Sequence, residues 1–324
     1  MAATAALDAC TAANPIQTGE PGYCELIRLD EQRITTAAMI KSRIPTNPHP
    51  LFLWRYRHGD TTVYLGGSVH ILKPGLYPLP DQYQQAFDAT QRLVLEVNLS
   101  AYSPQQMQAK ALHYGLLPDA LLLQDLIPSE MHARLAAITR QYGLPLEKLG
   151  RYKPSFVTQQ LAMLALMSVG YDPGQGVETY FTRQAQNKEI LELESIDFQL
   201  DLLMNQPIEV QVAMIEDILA QIDQFEPFTA DLITAWLSGD DAAFEQAFDA
   251  QAGASAESQA FMRALIDERN VGMVNKIADY LQGQGSYFVL VGAGHYIGDN
   301  SIIKLLEHRG IQGQRIYSDQ TISP

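Results

Sequence analysis

The apolar positions of the chain follow two different periods. Short apolar or alternating runs typical of strands lie towards both ends, and helical spacing dominates between them. The runs Leu51–Tyr56 and Thr62–Gly66 are separated by His58-Gly59-Asp60, a turn that predicts a hairpin. Thr62–Gly66 and Ser286–Val291 each lead into a loop, a helical pattern and another apolar run. The pattern predicts an α/β (α+β) fold whose mixed central sheet contains two strand–loop–helix–strand units.

The middle of the chain, from Pro104 to about Leu281, predicts a large helical insert between these two units. Its predicted helices are Glu130–Tyr142, Pro154–Val169, Val177–Asn187, Ile208–Ile222 and Glu257–Leu281, interrupted by a strand at Glu189–Leu193. Within the units, Asp81 is predicted to cap a helix that runs to about Arg92 and precedes the strand Leu93–Val97. The last predicted elements are a helix, Ser301–Arg309, and a strand, Gln314–Ser318.

Residues 1–45 are predicted to form an N-terminal arm, and residues 46–324 a single catalytic domain. Cys10 and Cys24 enclose a segment rich in Pro and Gly that a disulfide could close, although two unpaired thiols would fit the sequence as well. A disulfide would indicate an oxidising compartment. No apolar run is long enough to span a bilayer. We therefore expect an exported protein, periplasmic or secreted, with or without a lipid anchor, whose signal is absent from the sequence given.

The formal net charge of −15 limits the partners of the chain. An acidic protein repels phosphate backbones and anionic membrane surfaces, so nucleic acid is not expected as a partner. The charge mildly favours cationic ligands or metal ions, but its commoner effect is solubility. A homo-oligomer is compatible with this composition.

Two segments of similar form, Gly67-Ser-Val-His70 and Gly292-Ala-Gly-His295, each follow a predicted strand. The carboxyl ends of strands in an open α/β sheet face the ligand crevice, and glycine allows close approach of the backbone. We therefore expect both histidines to face one site, although either motif alone is also typical of a surface histidine. Ser68 is not predicted to be a nucleophile, because the Gly-x-Ser-x-Gly elbow is missing.

Glu96 is a carboxylate inside the apolar run Leu93–Val97. Such a side chain lies at a strand end, is exposed on a polar face, or is buried, which is costly unless it is paired. Because burial of an unpaired Glu is rare, Glu96 is a third candidate for the site.

These segments resemble the TraB/GumN family, which includes the Tiki metalloproteases. The resemblance spans about Leu51–Tyr317 and is carried by Tyr64–His70 with Tyr77–Pro80, by Leu93–Val97, by Gly176–Phe181 with Leu193-Glu194, by Glu268–Asn270, and by Val291–His295. It implies two Gly-x-x-His histidines and a strand glutamate around a divalent metal ion, often manganese or cobalt, in a site that cleaves peptides. The same broad superfamily is similar to erythromycin esterases and haem-binding lipoproteins, so the fold alone does not identify the substrate.

The resemblance therefore implies His70 and His295 as metal ligands, and Glu96 as a ligand or general base. Imidazole and carboxylate ligands suit a divalent ion that keeps a coordination position for water, with manganese or cobalt favoured and zinc also suitable. The expected substrate is a peptide or protein. Sequence alone does not separate the two roles of Glu96.

The resemblance also places Arg269 and Asn270 near the site. Arg269 could hold a substrate carboxylate or an oxyanion, and Asn270 could donate a hydrogen bond to either. The alternative is a helix-surface arginine paired with charged neighbours. The remaining candidates are of second rank, and they are Gly67, Gly292, Glu178 and Glu194.

A different class of function fits the same histidines, namely a haem or metal carrier without turnover, and an esterase-type hydrolase is a further alternative. Glu96 and Arg269 favour hydrolysis, which needs a proton acceptor and an anion stabiliser, whereas haem ligation needs neither.

Two positions depart from the family pattern. A second glycine is expected near Asn300–Ser301, and aspartate is more usual than glutamate at Glu178.

Overall fold

A computed structural model describes residues 28–29, 32–33, 36–251 and 255–322. Its first elements are two short antiparallel strands, β1 (Arg28–Leu29) and β2 (Gln32–Arg33), and helix α1 (Thr36–Arg43). Cys10 and Cys24 lie outside the described residues, so the disulfide stays a prediction.

The centre of the structure is a six-stranded mixed sheet. Its strands are β3 (Pro50–His58), β4 (Thr61–Ser68), β5 (Arg92–Leu95), β6 (Glu189–Glu192), β7 (Ser286–Gly292) and β8 (Gln314–Tyr317). They lie in the order β6-β5-β7-β4-β3-β8. Strand β3 is antiparallel to its neighbours β4 and β8, whereas the pairs β4–β7, β5–β7 and β5–β6 are parallel. The predicted mixed sheet is confirmed.

Helices connect and cover these strands. In chain order they are α2 (Asp81–Asp88), α3 (Pro104–Gly115), α4 (Ser129–Gln141), α5 (Pro154–Ser168), α6 (Val177–Gln184), α7 (Ile196–Met204), α8 (Ile208–Gln221), α9 (Phe225–Ser238), α10 (Asp241–Gln251), α11 (Ala256–Gln282) and α12 (Ile302–His308). The predicted units are β4–α2–β5 and β7–α12–β8, and the helical insert lies between them. None of the helices in the described part of the chain is long and apolar enough to cross a membrane.

Helix α2 differs from its prediction at both ends. Asp81 is the first helical residue, not the cap, because Pro80 occupies the cap position in an extended conformation. The helix ends at Asp88, since the amide of Gln91 already donates to the carbonyl of Ser286 in the sheet. Strand β5 ends at Leu95, so Glu96 lies one residue beyond the strand and not inside it. Glu96 therefore occupies the end of a strand, which is one of the alternatives that the sequence allowed.

Strand β7 lies in the interior of the sheet and is deeply buried. Phe288, Val289 and Leu290 are all completely buried, because parallel strands in the middle of an α/β sheet are covered on both faces. This explains why Ser286–Val291 reads as an unbroken apolar run. A second apolar cluster, formed by residues such as Leu135 of α4, Leu161 of α5 and Ile215 of α8, stabilises the helical insert.

Helix α1, which belongs to the predicted arm, packs on α9. Oγ1 of Thr36 donates to Oε1 of Glu226 at 2.6 Å, and Nη1 of Arg43 pairs with Oδ1 of Asp231 at 2.9 Å. The end of the predicted arm is therefore attached to the helical insert. The boundary near residue 45 stays a prediction.

Gly239 gives a test of how closely α9 must approach the sheet. It ends α9 with a left-handed φ of 63°, and a Cβ there would lie 1.8 Å from the carbonyl oxygen of Pro50. We expect Gly239→Ala to lower the free energy of unfolding by at least about 3 kcal/mol, since steric conflict adds to left-handed strain. Gly143→Ala is the matched control, because Gly143 also has a positive φ, 74°, but open space around it. It should lose only about 1–2 kcal/mol. Equal losses in denaturant unfolding would show that the contact with Pro50 is unimportant.

Candidate functional site

The parallel register of β4 and β7 places the two Gly-x-x-His motifs side by side. Ser68 pairs with Gly292, so the two chains leave the same edge of the sheet at the same level. On the other side of β7, Leu95 pairs with Leu290, and Glu96 follows directly at that edge. His70, His295 and Glu96 all line one cavity there. The structure thus brings together the three residues predicted as ligands.

His70 is held by Glu178 at the start of α6. Its Nδ1 lies 2.7 Å from Oε1 of Glu178, which also accepts a hydrogen bond from the hydroxyl of Ser68. Glu178 reaches this position because Gly176 packs on the backbone of His70, where a Cβ would lie 2.3 Å from the carbonyl oxygen. The negative charge of Glu178 and its hydrogen bond raise the pKa of His70 to about 9. The side chain of His70 is nevertheless 67% exposed, which leaves it room to turn.

His295 is almost completely buried in the turn Ala293–Tyr296 that follows β7. Its Nδ1 lies 2.6 Å from Oδ1 of Asn270, whose amide nitrogen donates to the carbonyl of Asn300 at 2.8 Å. Because the amide nitrogen is used in that bond, Oδ1 accepts, and Nδ1 of His295 must carry the proton. Burial lowers the pKa of His295 to about 4. At neutral pH its Nε2 is therefore an unprotonated donor atom for a metal.

Glu96 is fixed through both carboxylate oxygens. Oε1 accepts from the amide of Gly292 at 2.6 Å and lies 3.9 Å from Nε2 of His295. Oε2 accepts from Nη2 of Arg269 at 2.5 Å and from Nε2 of Gln199 at 3.2 Å. Burial by itself raises the pKa of Glu96, but the two histidines, which are both protonated in the acidic range where Glu96 titrates, and Arg269 outweigh it and bring the pKa to about 2. The carboxylate is therefore ionised.

Arg269 is buried on α11 and joins Glu96 to a second carboxylate. Its Nε and Nη2 lie 2.9 and 2.7 Å from Oε2 of Glu194. Glu194 stands beside Glu96 because its amide donates to the carbonyl of Glu96 at 2.8 Å, which continues the β5–β6 pairing. Arg269 is thus not a surface residue paired with its charged neighbours on α11. Its guanidinium holds two buried carboxylates in place.

The two motif glycines have different surroundings. A Cβ on Gly292 would lie 3.1 Å from Oε1 of Glu96 and 3.4 Å from Nε2 of His70, so this glycine leaves open the space between those two atoms. A Cβ on Gly67 would instead lie 2.9 Å from Cβ of Phe52, in the core. Gly292 therefore shapes the site, and Gly67 allows strand packing beneath it.

The site lies at the base of a cavity of 300 Å³. Its other walls are mainly apolar and come from the helical insert and the loop after His70, and they include Ile71, Leu166, Leu232, Phe244, Phe248, Met262, Leu265 and Ile266. Phe248 packs against Gly294, where a Cβ would lie 2.9 Å from the ring. The arrangement combines a polar base with an apolar enclosure, as is typical of small ligand sites.

The donor atoms suit a divalent cation in kind, but they are not yet at coordination distances. Within residues 36–251 and 255–322, no group of three or more His, Cys, Asp or Glu side chains is placed closely enough to hold a metal ion. Oε1 of Glu96 and Nε2 of His295, for example, lie 3.9 Å apart. Each histidine nevertheless has Nδ1 fixed by a hydrogen-bond partner, as metal-binding histidines generally do.

Sequence reasoning missed Gln199 on α7, which donates to both Glu96 and Glu194 at 3.2 and 3.1 Å. Its position depends on where α7 packs, and nothing in its local sequence indicates a site.

Asn270 is completely buried behind His295 and contacts that ring directly. The glycine expected near Asn300–Ser301 is not there, and Ser301 caps α12 while Gly298 provides the positive φ, 79°, in the turn before it.

Comparison with known proteins agrees with this geometry. Residues 52–315 match the TraB/PrgY/gumN family. Two curated proteins are similar: an uncharacterised protein of Treponema pallidum (strain Nichols), 22% identical over 79% of this chain and 80% of its own length, and metalloprotease TIKI1 of Danio rerio, 24% identical over 96% of this chain and 69% of its own length. No solved structure matches the chain. The chain belongs to the TraB/PrgY/gumN family, as its motifs indicated.

The buried Arg269 network makes a prediction about stability. Arg269→Met leaves Glu96 and Glu194 buried without their cation, so we expect a loss of about 3–5 kcal/mol in the free energy of unfolding, measured by denaturant titration without added metal. Arg151→Met is the control, since Arg151 pairs with Asp119 at the surface, with side chains 47% and 104% exposed. Its loss should stay below about 1 kcal/mol. If both variants unfold alike, the buried pairing contributes little.

Proposed function

We propose that this member of the TraB/PrgY/gumN family is a metal-dependent hydrolase that cleaves peptide bonds. One observation carries the proposal. Both histidines have Nδ1 held by a partner, Nε2 of His70 lies with Oε1 of Glu96 beside Gly292, and Nε2 of His295 lies 3.9 Å from the same oxygen. Two imidazoles and one carboxylate around a small open space are a ligand set suited to a divalent ion with a free coordination position.

A divalent ion bound there would supply an activated water molecule and polarise a substrate carbonyl. His70 and His295 would hold it through Nε2, and because the pKa of His70 is raised to about 9, binding there would release the proton from its Nε2. The hydrogen bonds from Nδ1 of His70 to Glu178, and from Nδ1 of His295 to Asn270, orient the two rings. Glu178 and Asn270 are therefore proposed as positioning residues. Manganese or cobalt is proposed as the ion, with zinc as an alternative.

Glu96 acts in this proposal through Oε1, because Oε2 is already occupied by Arg269 and Gln199. Oε1 faces His295 and the space beside Gly292, so it can coordinate the ion or accept the proton of the attacking water. Arg269 and Glu194 keep this carboxylate in one orientation. Arg269 also lines the cavity, so direct contact with the substrate is part of the proposal.

A peptide is the proposed substrate because the relative TIKI1 is described as a metalloprotease and because the cavity walls suit amino-acid side chains. The apolar walls would exclude bulk water from the scissile bond and so strengthen the charges at the base of the cavity. The proposed location is the periplasm or the exterior of the cell. It rests on Cys10 and Cys24 in the N-terminal segment.

The proposal predicts cleavage that depends on both metal and histidines. Metal-stripped protein should not cleave a library of unfolded peptides, and added manganese, cobalt or zinc should restore activity. His70→Ala and His295→Ala should each lower kcat/KM by more than about 100-fold, because loss of a ligand exceeds the effect of losing its hydrogen-bond partner. His113→Ala, at an exposed position on α3, should be unchanged.

Four outcomes would contradict this proposal. Cleavage without any metal would remove the ion from the mechanism, and cleavage retained in either histidine variant would remove that ligand. Hydrolysis of model esters but not peptides would change the substrate class. A Soret band with added haem, with no cleavage under any condition, would favour a carrier.

The role of Asn270 can be measured without turnover. Asn270→Ala should weaken manganese binding about 10- to 100-fold in calorimetric titration, because His295 loses the partner that fixes its ring. Asn275→Ala is the matched control, since Asn275 lies on the exposed side of the same helix and accepts from Arg309 at 2.7 Å. The melting temperature without metal shows whether the variant folds. Equal manganese affinity in the folded variant and the wild type would remove Asn270 from the site.

A further inference from the structure

One face of helix α11 extends the site well beyond the metal-binding residues. Ser258, Met262, Ile266 and Arg269 are spaced by four, four and three residues, so they share a single face of the helix. Arg269 lies at the candidate catalytic centre, and Ser258 is eleven residues earlier. At a helical rise of about 1.5 Å per residue, this face is roughly 16 Å long.

A second cavity lies along this face. It measures 140 Å³ and is enclosed by α5, α8 and α11, with walls that include Gln159, Ala162, Met214, Ile218 and Phe261. Met262 lines this cavity and also the one at the catalytic centre. The two spaces therefore adjoin along α11, and we call them the distal cavity and the catalytic cavity.

Two residues that line the distal cavity, Gln159 and Ser258, each have a buried polar atom without a partner in the described part of the chain. Nε2 of Gln159 is buried and donates no hydrogen bond, and the buried Oγ of Ser258 neither donates nor accepts one. Buried polar atoms in native proteins are generally satisfied, and leaving one unpaired is costly. An amide N–H and a hydroxyl can bind the carbonyl and N–H groups of a peptide backbone. Their presence in a largely apolar cavity indicates a ligand that has both apolar and peptide groups.

The charge of the walls limits this ligand further. Asp217 is the charged residue among the lining residues of the distal cavity, and its carboxylate accepts from Ser255. The apolar residues of the catalytic cavity continue the same surface. With a net charge of −15 on the protein, an acidic peptide would be repelled.

We propose that the face of α11 from Ser258 to Arg269 is the floor of a groove that binds about five residues of an extended, apolar peptide, at about 3.3 Å per residue. The groove would place one end of this segment at the catalytic centre and bury an apolar side chain in the distal cavity. Gln159 and Ser258 would bind its backbone. The inference rests on the proposed peptidase function only for the statement that a bond of the bound peptide is cut. Binding of the peptide in the groove does not depend on that function.

Peptide length and distal-cavity variants test the groove without turnover. Fluorescein-labelled peptides of three and eight residues, both made of alanine and leucine, are titrated with the full chain without added metal, and anisotropy is measured. We expect the longer peptide to bind at least about tenfold more tightly, since burial of one leucine side chain suffices for that change. The eight-residue peptide with aspartate in place of leucine should lose this advantage.

Met214→Trp fills the distal cavity and should reduce the affinity for the longer peptide to that of the shorter one. Glu216→Trp is the matched control, because Glu216 is exposed on the same helix, and it should leave both affinities unchanged. Ala162→Phe fills the same cavity from α5 and should have the same effect on affinity. It replaces Met214→Trp in the test if circular dichroism shows that Met214→Trp does not fold. Ser258→Ala should weaken binding of the longer peptide by about three- to tenfold.

The outcomes separate this inference from the proposed function. Length-dependent binding that both filling variants abolish supports the groove even if no peptide is cut, in which case the hydrolase proposal fails alone. Equal affinity for both lengths, or no effect in a folded filling variant, overturns the groove even if metal-dependent cleavage occurs. Absence of binding by either peptide overturns it as well.

Discussion

The parallel pairing of β4 with β7 is the constraint on which the rest of the site depends. Its register sets Ser68 opposite Gly292, and both histidines follow from that single alignment. A shift of one residue would move one motif by about 3.3 Å and turn its side chains to the other face of the sheet. The completely buried residues of β7 make such a shift costly, because they fit between helices on both faces. Burial of the central strand therefore positions polar groups that lie outside the apolar core.

The charged side chains at this edge of the sheet do not sum to zero. Glu96 and Glu194 share the guanidinium of Arg269, and the neutral imidazole of His295 adds no positive charge. His70 and Glu178 carry opposite charges that balance each other, so one negative charge is left at this edge, on Glu96, whose Oε1 accepts from the amide of Gly292. A buried excess of negative charge is unfavourable by itself, and a bound cation would relieve it. The same network that costs stability in the protein alone thus favours a metal ion.

The sequence predicted those parts of the site that depend on local pattern. The strands, the two Gly-x-x-His motifs and Glu96 could be found because short apolar runs and their ends are visible in the sequence. The partners of Arg269 and Asn270 could not be found, since they depend on how α11 crosses the sheet. Gln199 was missed because its contact with Glu96 depends on where α7 packs. The predicted strand included Glu96, but the strand ends one residue earlier. Tertiary packing, not local propensity, decides these contacts.

The division between sheet and insert has a consequence for substrate choice. The sheet edge supplies the polar groups, whereas walls such as Phe244, Phe248 and Ile266 come from helices of the insert. An apolar wall residue resembles any other buried residue of an amphipathic helix, so its replacement by another apolar residue keeps the fold. The shape of the cavity can then change while the histidines and Glu96 stay in place. Under the proposed function, members of one family can therefore keep the same groups at the sheet edge and act on different substrates, because specificity would depend on helix residues that the family motifs do not include.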